Sequence, residues 1–128
     1  MGDSDAEVIR GVYEAFGRGD IPGVLGSMSQ DISWHVPEEL PHGMDARGPE
    51  QVGGFFQQLA SKWDGLTVDI EDLLAAGDPV LVLAEVRGKF AGIDTGYRAA
   101  HVWTLQGGKA VRFEEYVDQP RELLDAAR

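Results

Sequence analysis

Residues 101–117, HVWTLQGGKAVRFEEYV, alternate in character on both sides of a Gly107-Gly108 pair. Period-two alternation around paired glycines predicts a β-hairpin. On the first strand Ala99, His101, Trp103 and Leu105 share a face, and on the second Val111, Phe113, Glu115 and Val117 do. The opposite face of the second strand, Arg112, Glu114, Tyr116 and Asp118, is far more polar. Glu115 therefore belongs to an apolar wall. With Trp103 opposite Phe113, His101 falls opposite Glu115. A bulge or a tight two-residue loop shifts the register by one, pairing His101 with Glu114 and turning Tyr116 and Asp118 inward. Both registers stand at this point.

Period two holds from residue 66 onward. LTVDIEDLLAAG, DPVLVLAEVRGKF, GYRAAHVWTLQ and KAVRFEEYVD read as four strands, with Gly77-Asp78-Pro79 a turn and AGIDTG a flexible connection. Before them the period is helical. Val8, Ile9, Val12, Tyr13 and Phe16 form one face of a helix over 5–17, with Asp3 or Ser4 as its cap. Asp20 caps a short second helix with Pro22 in its first turn. DISWHV is a strand, PEELPHGMDARGPE a loop, and 49–63 a third helix with Val52, Phe55, Phe56, Leu59 and Trp63 on its apolar stripe. Pro120 opens a short C-terminal helix, PRELLDAA. Three helices packed on one face of a mostly antiparallel, strongly curved sheet make an α+β fold. The whole chain, 1–128, reads as a single domain.

Composition narrows the functions. Twenty-two acids against 11 bases give a formal charge of −11, which argues against nucleic acid and against anionic membrane surfaces. There is no cysteine, so disulfides, zinc-thiolate sites and thiol catalysis are excluded. No stretch looks like a signal peptide and no apolar run is long enough to cross a bilayer, so a cytoplasmic location is expected. His35, His42 and His101 match no metal-ligand spacing, no glycine-rich nucleotide loop is present, and no serine sits in a nucleophile elbow. We expect no cofactor and no metal.

The N-terminal amphipathic helix, GRGDIPGVLGSMSQDISWHVP, GPEQVGGFFQQL and the late WTLQGGKAVRFEEYVD together resemble the SnoaL-like branch of the NTF2-like (ketosteroid-isomerase-like) superfamily. The resemblance implies a conical barrel around a deep apolar cavity, a hydrophobic small-molecule ligand, and a homodimer through the outer sheet face. It also implies Trp34 and Val36 pointing inward and His35 toward the second face. In the steroid isomerases a tyrosine and an aspartate stand where this chain has Val12 and Val36, Tyr13 is one residue off, and the oxyanion acid falls on His101. The steroid isomerase constellation is thus absent. The polyketide cyclases use a cavity histidine and a carboxylate on adjacent late strands, the relation of His101 to Glu115, with glutamate replacing the usual aspartate. Arg98, Glu115 and Asp118 only loosely imitate the Asp-Arg-Asp set of the limonene-epoxide hydrolases.

The candidate catalytic residues are accordingly Glu115 and His101. A carboxylate on an apolar wall beside an imidazole suits general acid–base work near neutral pH. Tyr13, Trp34, His42, Phe56, Trp63, Trp103 and Phe113 are the candidate substrate-binding residues, with His42 at the cavity mouth. The expected activity is cofactor-independent cyclase or isomerase chemistry on a polyketide- or terpenoid-like molecule. A non-catalytic hydrophobic-ligand-binding domain, an epoxide hydrolase and a dimerisation module with a filled core are the alternatives. In the last of these, His101 and Glu115 merely satisfy each other.

Overall fold

The computed structural model describes residues 2–75 and 77–118. The expected C-terminal helix over 120–127 lies outside them. The elements run α1 (Gly2–Gly17), α2 (Ile21–Gly26), β1 (Met28–Val36), β2 (Met44–Arg47), α3 (Gly48–Lys62), β3 (Trp63–Ala75), β4 (Pro79–Phe90), β5 (Ile93–Gln106) and β6 (Lys109–Asp118). One six-stranded sheet has the order β2-β1-β6-β5-β4-β3. Among the described residues only the β1–β6 pair is parallel; the other pairs are antiparallel. The sheet curves without closing, as expected of a conical NTF2-like fold. Helix α1 lies over β3 and β4, and α3 over β1, β2 and β3.

Alternation puts Val80, Val82, Ala84 and Val86 of β4 inside, each at most 3% exposed, with Leu83 and Arg87 outside. Ile9, Val12 and Ala15 of α1 and Val52, Phe55 and Leu59 of α3 are buried. Full burial of one such side chain is worth about 1.5–3 kcal/mol, so these stripes hold the helices to the sheet. Asp20 caps α2 as expected, accepting from the Gly23 amide at 3.0 Å. Ser4 caps nothing, because α1 already begins at Gly2.

Beyond the earlier starts of α1 and β1, three boundaries differ from expectation. Residues 44–47 form an edge strand against β1, with Val36 opposite Met44, where the prolines and glycines predicted only loop. Trp63 begins β3 rather than ending α3, and pairs with Phe90. The AGIDTG connection shrinks to an Ala91-Gly92 turn, both residues at positive φ (53° and 80°), and Ile93 already pairs with Phe90. Helical spacing runs smoothly through Trp63, so its switch to a strand is decided by the partner.

The decisive hairpin combines two features that each shift the register. Its turn is tight: Gln106 pairs with Lys109 across Gly107 and Gly108, whose φ values of 58° and 78° suit a type I′ turn. Alone, this turn would set His101 against Glu114. A bulge follows, because Leu105 pairs with Ala110 but Thr104 with Arg112, leaving Val111 as the extra residue. The two shifts cancel. Trp103 meets Phe113, and His101 meets Glu115. Ala110, fully buried, donates its amide to the Ser27 carbonyl at 2.8 Å, which ties the bulge to the start of β1.

Candidate functional site

A cavity of about 70 Å³ lies between the curved sheet and the helices. Tyr13 and Phe16 of α1, Trp34 of β1, Phe55 and Phe56 of α3, Tyr97, His101 and Trp103 of β5, and Phe113 and Glu115 of β6 all line it. Its wall is mostly aromatic: Trp34 stacks on Phe113 at 3.9 Å between ring centroids, and Trp103 lies 4.6 Å from Phe113. Against that wall stand a few buried polar groups, among them His42, His101 and Glu115, at 2%, 6% and 5% exposure.

His101 and Glu115 meet through Nε2 and Oε2 at 2.8 Å. On the other side of the imidazole, Nδ1 lies 2.6 Å from the Tyr13 hydroxyl. That hydroxyl in turn accepts from Trp103 Nε1 at 3.0 Å. An indole nitrogen only donates, so it orients the tyrosine oxygen. With a neutral imidazole, Tyr13 donates to Nδ1 and Nε2–H donates to the carboxylate. With a protonated one, both ring nitrogens donate and Tyr13 accepts. The neutral state satisfies every member of the chain, whereas protonation of the imidazole takes away the acceptor of the Tyr13 hydroxyl proton. Burial pushes the Tyr13 hydroxyl far above its ordinary value; the Trp103 hydrogen bond opposes this and the Glu115 charge adds to it. Tyr13 thus stays protonated.

A second chain lines up beside the first. Trp63 Nε1 donates to His42 Nδ1 at 3.2 Å, and His42 Nε2 lies 3.2 Å from the Tyr97 hydroxyl. Burial lowers the His42 pKa from 6.5, opposed by the Glu115 charge and assisted by Lys62. Tyr97 is pushed well above 10.0, first by burial and then by Glu115.

The model of the SnoaL-like domain family matches residues 9–113. The chain belongs to the SnoaL-like family. An uncharacterized protein of Mycobacterium tuberculosis is 29% identical over 120 residues, 92% of each chain. An NTF2-like protein of Burkholderia pseudomallei has a similar structure, with a TM-score of 0.89 and 26% identity over 97% of each chain. TerC, co-crystallized with polyporic acid, is 26% identical with a TM-score of 0.84, over 95% of this chain and 98% of TerC.

Within this SnoaL-like fold the candidate residues separate. Glu115, His101, Tyr13, Trp34, His42, Phe56, Trp103 and Phe113 all line the cavity. Trp63 does not: its indole stands behind His42 and packs on Phe90, with ring centroids 5.2 Å apart. His42, expected at the mouth, is buried, because Gly43 lets the loop fold tightly back on Pro37. A Cβ on Gly43 would come within 1.9 Å of the Pro37 carbonyl oxygen. His35 points to the opposite face, exposed and paired with Asp45. Arg98 is also outside, bonded to Glu71 at 3.2 Å, so it does not join Glu115 as an epoxide-hydrolase arrangement would need. Tyr97 escaped the sequence reading. It sits two alternate positions before His101 on the same face of β5, so extending that face backwards would have found it. Among the described residues there is no metal-binding cluster and no helix long and apolar enough to cross a membrane.

Proposed function

We propose that this SnoaL-like protein is a cofactor-independent acid–base catalyst, of cyclase or isomerase type, acting on a hydrophobic polyketide- or terpenoid-like molecule. One observation carries the reading: a carboxylate and an imidazole bonded at 2.8 Å on the wall of an apolar cavity, with Tyr13 and Trp103 holding the far side of the ring. Glu115 serves as base and His101 shares its proton, on a wall that is otherwise mostly aromatic. The co-crystallization of TerC with polyporic acid supports a small-molecule ligand in this fold. The free space of about 70 Å³ is below the ~150 Å³ of a core cavity that binds benzene. A ring therefore enters by displacing wall side chains, of which Tyr13, Phe16, Phe56, Leu66 and Val68 are only partly buried.

The outer face carries Leu83, Ala100 and Tyr116 as cross-strand neighbours on β4, β5 and β6, with Leu83 46% and Tyr116 54% exposed. In our reading a second copy covers this row, giving a homodimer. Leu83→Arg should then shift sedimentation from dimer to monomer; a wild-type monomer would refute it.

The test of the catalytic reading is an NMR ligand titration that follows the His101 and Glu115 side-chain resonances with a panel of aromatic ketones and quinones, with turnover assays of Glu115→Gln beside it. Both sets of resonances should move on ligand binding, with turnover lost by about 100-fold or more in the variant. Ligands that bind while neither group responds, with no turnover, would make the protein a hydrophobic-ligand-binding domain instead.

A further inference from the structure

We infer that Tyr97 is the group that holds the ligand's oxygen, its hydroxyl proton turned into the cavity by His42 and Trp63. Hydrogen-bond direction fixes that proton. Trp63 Nε1 can only donate, so His42 Nδ1 must accept and carry no proton. The remaining proton of the neutral imidazole is then on Nε2, which donates to the Tyr97 oxygen. The Tyr97 hydroxyl still has its own proton to give. Among the described residues no acceptor is bonded to it, and Tyr97 lines the cavity.

The two chains run in the same sense, each from a tryptophan N–H, but end in opposite ways. Trp103, Tyr13 and His101 pass donors along toward Glu115, which ends that chain as an acceptor. Trp63 and His42 pass donors toward Tyr97, which ends the other chain as a donor. Both ends face one apolar space. A molecule that spans it must offer an acceptor oxygen to Tyr97 and an acidic hydrogen to Glu115. A ketone with a hydrogen on the adjacent carbon meets both demands; a hydrocarbon meets neither. Glu115 takes the α-hydrogen as a proton, the C–H electron pair becomes the C=C bond, and the carbonyl π pair moves onto the oxygen that Tyr97 bonds. Return of the proton to either end of the enolate closes the balance. A neutral imidazole behind the hydroxyl, kept so by burial, holds this polarity. Tyr97 would touch the substrate; His42 and Trp63 are positioning residues. The substrate class rests on the acid–base reading above, whereas the Tyr97 contact does not.

The experiment compares acetophenone, labelled with ¹³C at the carbonyl, with ethylbenzene of the same shape. In the wild-type protein the carbonyl resonance should move downfield on binding. Tyr97→Phe should abolish that shift and weaken acetophenone by about 3- to 10-fold, with ethylbenzene unchanged. Trp63→Phe frees His42 to change tautomer and accept from Tyr97, so it should shrink the shift without weakening ethylbenzene. Failure of acetophenone to bind, equal binding of ketone and hydrocarbon, or an unchanged shift in Tyr97→Phe would each overturn the inference. Deuterium exchange into the acetophenone methyl group in D₂O reads Glu115 separately. An intact carbonyl shift without exchange would bear out Tyr97 and sink Glu115 as the base.

Discussion

Replacing Tyr13 with Phe removes a single oxygen, yet that oxygen bridges two buried groups. It accepts from Trp103 Nε1 at 3.0 Å and lies 2.6 Å from His101 Nδ1. The ring itself remains, so its stacking on His101 at 5.9 Å and its edge contact with Trp103 at 6.1 Å survive. What changes is that an indole donor on a side chain 2% exposed and an imidazole nitrogen on one 6% exposed lose their partner. Each stranded group costs about 1–3 kcal/mol. A water admitted to the cavity would recover part of this, since about 70 Å³ is well above the ~10–15 Å³ one water needs. The expected loss is therefore about 2–4 kcal/mol, near the low end of the two costs together. Urea unfolding should show a lower midpoint at unchanged slope, and Tm should fall by about 6–16 °C. In the ¹H–¹⁵N spectrum the Trp103 indole signal alone among the three tryptophans should move strongly and exchange faster with water. A loss below about 0.5 kcal/mol with that indole signal in place would show that Tyr13 does not bridge the two groups.

Ala91 holds a φ of 53° in the β4–β5 turn, a conformation that suits glycine, so Ala91→Gly should raise stability by about 0.5–1 kcal/mol in thermal melts. Gly43→Ala would drive a methyl into the Pro37 carbonyl and should destabilise by roughly 3 kcal/mol or more, with the His42 ring signals displaced. His42 gives a pH dependence of definite sign. Its folded pKa is lowered, so as pH falls through 6.5 the unfolded chain takes up a proton that the folded chain refuses, and stability is lost toward acid. Denaturation midpoints between pH 7.5 and 5.5 should fall more steeply for the wild type than for His42→Gln; equal slopes would remove His42 as the cause.

Much of this molecule is legible in its sequence, because the signals are local. The stripe of Ile9 and Val12, and that of Val52, Phe55 and Leu59, state two helices whatever lies across from them. The alternation of Val80, Val82, Ala84 and Val86 states a strand and which of its faces is buried. Asp20 and Pro22 announce the start of α2 by chemistry that needs no distant partner. The same period-two rule placed Glu115 on the apolar side of β6 and Glu114 on the polar side.

Other features had no local signal. Met44–Arg47 carries none of the usual strand composition and becomes one only because β1 offers a free edge. Trp63 fits the helical stripe as well as it fits β3, and pairing with Phe90 decides between them. His42 reads as a loop residue and is buried only because the backbone at Gly43 closes onto Pro37. The partnership of His101 with Glu115 shows the division most clearly. Both side chains were visible on the proper faces of their strands, but which glutamate met the histidine depended on a tight turn and on a bulge at Val111, each worth one residue of register. The amide of Ala110, bonded to Ser27 some 80 residues earlier in the chain, anchors that bulge. Periodicity records which way a side chain faces; only the contact with a distant strand settles what it faces.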